Sequence, residues 1–149
     1  MKKIITLFHI SLLCAASVYS QSISVNDNQD KEIYSLIEKY SQSRETSDTV
    51  LLKSILTSDV DQLVSSGEWR IGITGAMKGM VQSSAGNPGT RTLLIEKIKY
   101  LNSESAIVDA RYEIKNTDGT VRKMWSTFIV VQNNTIWKIT AIRNMLPAG

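Results

Sequence analysis

The stretch 92–144, TLLIEKIKYLNSESAIVDARYEIKNTDGTVRKMWSTFIVVQNNTIWKITAIRN, decides the fold. Apolar and polar residues alternate along it with period two, the spacing of half-buried strands. Three turn signals divide it: Asn102-Ser103-Glu104, Asp118-Gly119 and Asn133-Asn134. Asp-Gly between alternating runs is among the strongest short-range hairpin signals. The spacing predicts four strands over 92–101, 105–115, 120–132 and 136–144, joined as an antiparallel meander.

Upstream the period lengthens. A loop containing Asn87-Pro88-Gly89 precedes the meander. Before it, Thr74 is a candidate N-cap for a helix over 75–83, with Met77, Met80 and Val81 on its buried side. Gly75 and Gly79, four apart, allow close packing. A short strand is expected over 59–64, followed by a turn at Ser65-Ser66-Gly67 from which Glu68-Trp69-Arg70 leaves. Ser47-Asp48 opens a short helix carrying Val50, Leu51, Leu52, Ile55 and Leu56, with Asp48 favourable at its positive end. The first helix starts at Lys31 under an Asp30 cap and reaches Arg44. Ile33, Ile37 and Tyr40 form its stripe, widened by Tyr34 and Leu36. Residues 21–29 lack apolar period and read as a disordered lead-in to a domain over 30–146. Helices first and a meander afterwards argue an α+β fold with the helices on one face of a curved sheet.

The chain has 149 residues, with one cysteine, Cys14, and one histidine, His9. Both lie in the first twenty positions. Lys2 and Lys3, the apolar run 4–16 and the small residues of Val18-Tyr19-Ser20 have the layout of a secretory signal cleaved before Gln21. The apolar run falls short of the about 20 residues of a bilayer span. The bulky Leu13 before Cys14 argues against lipid attachment there. Taking 20 from 149 leaves a mature chain of 129 residues without Cys or His. That excludes a disulfide, a cysteine nucleophile, a Ser-His-Asp triad and a Cys/His zinc site. The net charge of +3 drops to +1 once Lys2 and Lys3 are removed, so a nucleic-acid partner loses its electrostatic basis. A periplasmic or secreted protein is expected, with no membrane attachment after cleavage.

Register assigns side chains to faces. A two-residue turn at Asp118-Gly119 pairs Thr117 with Thr120. Tyr112 then faces Trp125, Ala110 faces Thr127, and Val108 faces Ile129. This nearly apolar face is expected to meet the helices. Asp109, Arg111 and Glu113 take the other, with Ile107, Met124 and Phe128. The last hairpin has two readings. A two-residue turn at Asn133-Asn134 points Lys138 at the helices. A three-residue turn that includes Thr135 points Trp137, Ile139, Ala141 and Arg143 there instead. The second sorts apolar from polar more cleanly and is preferred. It brings Tyr112, Trp125 and Arg143 together at one end of the inner face. Ile107, Phe128, Val130 and Ile142 would then sit outside. A sheet apolar on both faces usually has both covered. A homodimer through the sheet is therefore expected, against the blander reading of scattered exposed apolar residues.

Several segments together resemble the SnoaL-like, nuclear-transport-factor-2-like superfamily, nearest its SgcJ/EcaC-type branch. They are Ser47-Asp48 with Leu51-Leu52, Asp59-Val60-Asp61, Gly67-Glu68-Trp69 through Gly72, and Trp137-Lys138-Ile139 through Arg143-Asn144. The resemblance covers about 30–145 and rests on order and spacing. It implies a cone-shaped curved antiparallel sheet wrapped by three helices of the N-terminal half, an interior pocket, and frequently a dimer. A single helix on a cystatin-like sheet is the rival reading. The resemblance implies no one chemistry, because function belongs to the pocket. Two departures weaken any catalytic transfer. The helix-three neighbourhood where the branch often has a histidine reads Met77-Lys78-Gly79-Met80, and the branch's closing glutamine is Arg143.

Tyr40, Trp69, Tyr112 and Trp125 are the candidate pocket lining, with Arg143 anchoring or polarising a ligand oxygen. The alternative is that these aromatics only fill the core. Met77 and Met80 read as packing. Asp59 and Asp61 could share a strand face as an acid-base pair, though such residues are more often solvated. Asn133-Asn134-Thr135 reads as a turn rather than a glycosylation site. No phosphate loop, calcium loop or metal cluster is visible, and no cofactor is expected. The leading expectation is an exported protein that binds a small apolar or weakly acidic molecule. The alternatives are an isomerase- or cyclase-like enzyme with a carboxylate base in that pocket, and an interaction module using the outer sheet face.

Overall fold

A computed structural model describes residues 21–86 and 88–147. The export-signal reading, with His9 and Cys14, lies outside the described residues, as does Asn87. Three helices precede or interrupt the early strands: α1 (Gln21–Glu45), α2 (Thr49–Ile55) and α3 (Gly72–Gly86). Six strands follow the chain as β1 (Leu56–Leu63), β2 (Trp69–Ile71), β3 (Gly89–Asn102), β4 (Ser105–Asn116), β5 (Val121–Asn133) and β6 (Ile136–Met145). They form one sheet in the order β2-β1-β6-β5-β4-β3. The meander is antiparallel as expected, but β1 lies parallel to β6, so the sheet is mixed. Parallel neighbours need a long connection, here everything from β2 to β5.

Local chemistry accounts for the helix ends. Asp48 caps α2, its Oδ1 accepting from the Val50 and Leu51 amides at 3.0 and 2.9 Å. α1 starts well before Lys31 and takes in the 21–29 stretch expected as a disordered lead-in. No Gly or Pro interrupts that stretch, and extending an existing helix is far cheaper than nucleating one. Ile33, Leu36, Ile37 and Tyr40 are buried from α1, while Tyr34 is exposed. They pack with Val108, Phe128, Val130, Ile139 and Ile142 of the sheet in one core. The Tyr40 ring meets Phe128 edge-on at 5.1 Å.

Both hairpin registers differ from expectation, and the consequences reach the site. At the first hairpin Asn116 N–H donates to Thr120 O at 2.8 Å, so the loop is Thr117-Asp118-Gly119. Gly119 takes φ +85°, and Asp118 Oδ1 accepts from Thr120 N and Oγ1. This is the three-residue loop with glycine in the left-handed position. Adding one residue to the loop moves every β5 side chain to the opposite face. Tyr112 therefore pairs with Met124, Ala110 with Ser126, and Val108 with Phe128. Phe128, Val130 and Ile142, expected outside, are fully buried beneath the helices. Trp125 is on the outer face, 40% exposed.

The last hairpin matches neither reading. Its loop is Asn134-Thr135, both at positive φ (48° and 69°), and Asn133 pairs with Ile136. Val130 pairs with Ile139 and Ile129 with Ala141, leaving Thr140 as an extra residue. A bulge of this kind reverses the alternation beyond it. Trp137 and Ile139 are buried inward as preferred, but beyond Thr140 it is Ile142 that shares the inner face with Phe128. Arg143 turns outward.

Candidate functional site

The five residues proposed as one pocket divide between the two faces. Tyr40 is core, and Tyr112 lies on the helix-covered face. Trp69, Trp125 and Arg143 are on the other face. There the Arg143 guanidinium stacks 4.8 Å from the Trp69 ring and donates to Asp61 Oδ1 at 2.6 Å. Thr127 Oγ1 donates to Asp109 Oδ1 on the same face. The aromatic box anchored by Arg143 is therefore replaced by two separate groupings. Of the candidate carboxylates, Asp61 is paired with Arg143 on the outer face and Asp59 is exposed.

A cavity of about 230 Å³ opens on the inner face, between the ends of α1 and α3 and the sheet. Its apolar wall is Tyr112, Ile114 and Met124, a small cluster apart from the main core. Its polar wall holds three arginines, Arg44, Arg70 and Arg122, together with Gln62. None of the residues lining it is a carboxylate.

Arg44 stands in the last turn of α1, where the helix dipole favours a cation. It lies one turn after Tyr40, so the two share a helix face. Its Nη1 donates to Tyr40 Oη at 3.2 Å, and its side chain is buried. Among the described residues it makes no ion pair, and its Nε has no hydrogen-bond partner. Desolvation alone would lower its pKa. The negative charge that Tyr40 and Tyr112 carry once ionised, with the hydrogen bond to Tyr40, works the other way, and the net direction is upward, so the group stays charged. Burial likewise pushes the Tyr112 hydroxyl up, with Arg44 and Arg91 acting against it, and that phenol stays protonated at neutral pH. A buried charge without a counter-ion is costly, by several kcal/mol after relaxation.

Gln62 is 1% exposed on β1. Its Oε1 accepts from Arg70 Nη1 at 3.3 Å, which leaves Nε2 without a partner. The reverse amide orientation would set donor against donor, so the arginine fixes it. Arg70 also donates from Nε to Glu68 at 3.3 Å. Its side chain passes so close to α3 that a Cβ on Gly79 would overlap it. The Gly75/Gly79 spacing thus serves the passage of Arg70. A larger, open hollow of about 580 Å³ lies between α1, α2 and the Asn134-Thr135 turn. Lys31, Glu32 and Lys39 border it, and among its buried side-chain donors Trp137 Nε1 lacks a partner. The inner cavity holds the denser set of unmet donors.

Sequence reasoning missed Arg44, Gln62, Arg70 and Arg122. The i,i+4 spacing of Tyr40 and Arg44 was a readable signal for one of them. The period-two step from buried Val60 was a signal for Gln62.

Solved structures share this architecture. An NTF2-like protein of unknown function from Shewanella oneidensis MR-1 superposes with TM-score 0.68 at 17% identity, over 78% of this chain and 98% of its own. An NTF2-like protein with a cystatin-like fold from Novosphingobium aromaticivorans gives 0.70 at 13%, over 91% and 93%. A domain of unknown function with a cystatin-like fold from Nostoc punctiforme PCC 73102 gives 0.72 at 12%, over 80% and 78%. The chain has the nuclear-transport-factor-2-like fold. No family model and no curated protein matches it. At such identities the likeness speaks for the fold and for neither a branch nor an activity. Within this nuclear-transport-factor-2-like frame, the arginine-lined cavity lies on the face that the helices cover.

Proposed function

We propose that the protein is an exported small-molecule-binding protein that uses the cavity walled by Arg44, Gln62 and Tyr112. The observation that carries this reading is a pair of unmet buried donors, Arg44 Nε and Gln62 Nε2, on two side chains that line one cavity. Buried polar groups are nearly always partnered, and exceptions ask for an explanation. A bound molecule supplies one. Binding is favoured over carboxylate-base catalysis because no carboxylate lines this cavity.

The outer sheet face supports a homodimer. Trp69, Ile71, Trp125 and Met145 are exposed along it. Its charges are balanced internally, with Arg143 on Asp61, Arg111 on Glu96 and Lys123 on Glu113. A face of balanced sign suits a copy of itself better than a strongly charged partner.

Native mass spectrometry of the secreted protein tests these points together. The expected result is a chain beginning at Gln21, a dimer mass, and an extra small-molecule mass that disappears in Gln62→Leu. A monomer without bound mass, and without saturable binding of any small compound at Met124, overturns the reading.

A further inference from the structure

The same cavity narrows the class of ligand, on the condition that it is a binding site as proposed above. We infer that it takes a small monocarboxylate. The carboxylate is held by Arg44 and Gln62, and a compact apolar body lies against Tyr112, Ile114 and Met124.

Two donors need an acceptor, and both belong to side chains that line this cavity. Arg44 Nε and Gln62 Nε2 are both donors only, so a ligand group with two acceptor oxygens satisfies both. A neutral amide carbonyl could accept hydrogen bonds but would leave the Arg44 charge uncompensated. The residues that line the cavity include no acid, and Arg122 adds further positive charge. Arg70 is paired with Glu68. A guanidinium fork matches a planar carboxylate, and such charged pairs are about twice as strong as neutral ones. The Tyr112, Ile114 and Met124 wall requires an apolar body, which a bare inorganic anion lacks. A volume of about 230 Å³ limits that body to a small ring or short chain.

Isosteric pairs test the assignment. Acetate, butyrate and benzoate would be titrated against butyramide and benzamide, with inorganic phosphate as a third arm. NMR would follow the Arg44 Nε–Hε and Met124 methyl signals of the full mature chain. Benzoate and butyrate are expected to saturate both signals, with Kd values about tenfold or more below those of their amides. Arg44→Met should remove that preference while far-UV circular dichroism stays unchanged. Gln62→Leu, a second and smaller change, should weaken benzoate, because the carboxylate loses one of its two donors. Amides that bind as tightly as the carboxylates would overturn the anion assignment while the pocket reading stands. Phosphate bound more tightly than benzoate would overturn the apolar-body assignment. If no compound of either charge moves Met124, the pocket reading itself is lost.

Discussion

Replacing Phe128 and Trp125 by alanine, one at a time, distinguishes the observed register from the one a two-residue turn would impose. Phe128 is fully buried and set edge-on against Tyr40, whereas Trp125 is 40% exposed on the far face. Truncating a buried phenylalanine costs about 3–5 kcal/mol in lost transfer energy and residual cavity. The edge-on ring pair, about 0.5–1.5 kcal/mol, places this site toward the upper half of that range. We take about 4 kcal/mol. Trp125 should cost about 1 kcal/mol or less, as for other partly solvated surface side chains. Urea unfolding followed by circular dichroism converts these values to midpoints. With an m-value of about 1.5 kcal/mol/M, Phe128→Ala lowers the midpoint by roughly 2.5 M, and Trp125→Ala by under about 0.7 M. The measurement belongs at a concentration where the protein is monomeric, since a dimer through the outer face would add to the Trp125 loss. If the monomer loses as much from Trp125→Ala as from Phe128→Ala, the face assignment is wrong and the Met124 wall of the cavity falls with it.

Three further outcomes are expected. Arg44→Met should leave the ligand-free protein as stable as wild type or raise it by about 1–3 kcal/mol, because the unpaired buried charge is removed; a fall of about 2 kcal/mol or more in thermal unfolding would make Arg44 a structural residue. Gly119→Val should cost about 1–2 kcal/mol in urea unfolding, since φ +85° is strained for a β-branched side chain. Asp118 is held below the usual carboxylate range by hydrogen bonds from the Thr120 hydroxyl and amide. A depressed folded pKa contributes stability above the unfolded pKa, and that contribution is lost as pH falls through the folded value. Thermal midpoints recorded between about pH 5 and pH 2 should therefore fall less steeply in Asp118→Ala than in wild type.

Element order and most of the helix-facing row of β4 were legible in the sequence because they depend on periodicity, and period survives small errors in turn length. Asp48 was legible because its spacing to the amides it caps is local. Face assignment in β5 and β6 was not legible in the same way. Asp118-Gly119 fits a two-residue loop as well as the last two positions of a three-residue loop, and the choice depends on whether Thr117 stays in the ladder. Thr135 at φ 69° is a poor candidate by type, since β-branched residues seldom take left-handed backbone. The Thr140 bulge has no glycine to mark it.

These small misreadings carried the function with them. An aromatic row of Trp125 and Tyr112 would have made an apolar box, and Arg143 its single polar anchor. Moving β5 by one residue removes the indole and brings in Met124 and Ser126. The bulge at Thr140 sends Arg143 out to Asp61. What remains at the open end of the inner face is the apolar Tyr112 cluster, with Arg44 arriving from the helix above it. Arg44 reaches that place whichever register β5 adopts, because its position follows from α1. A cation buried at the end of a helix, one turn from a buried tyrosine and with no ion pair among the described residues, is the feature on which the ligand's charge depends. It can be removed by one substitution that leaves the sheet intact. For that reason the Arg44→Met protein, with its stability and its benzoate affinity measured side by side, separates a structural arginine from a binding one.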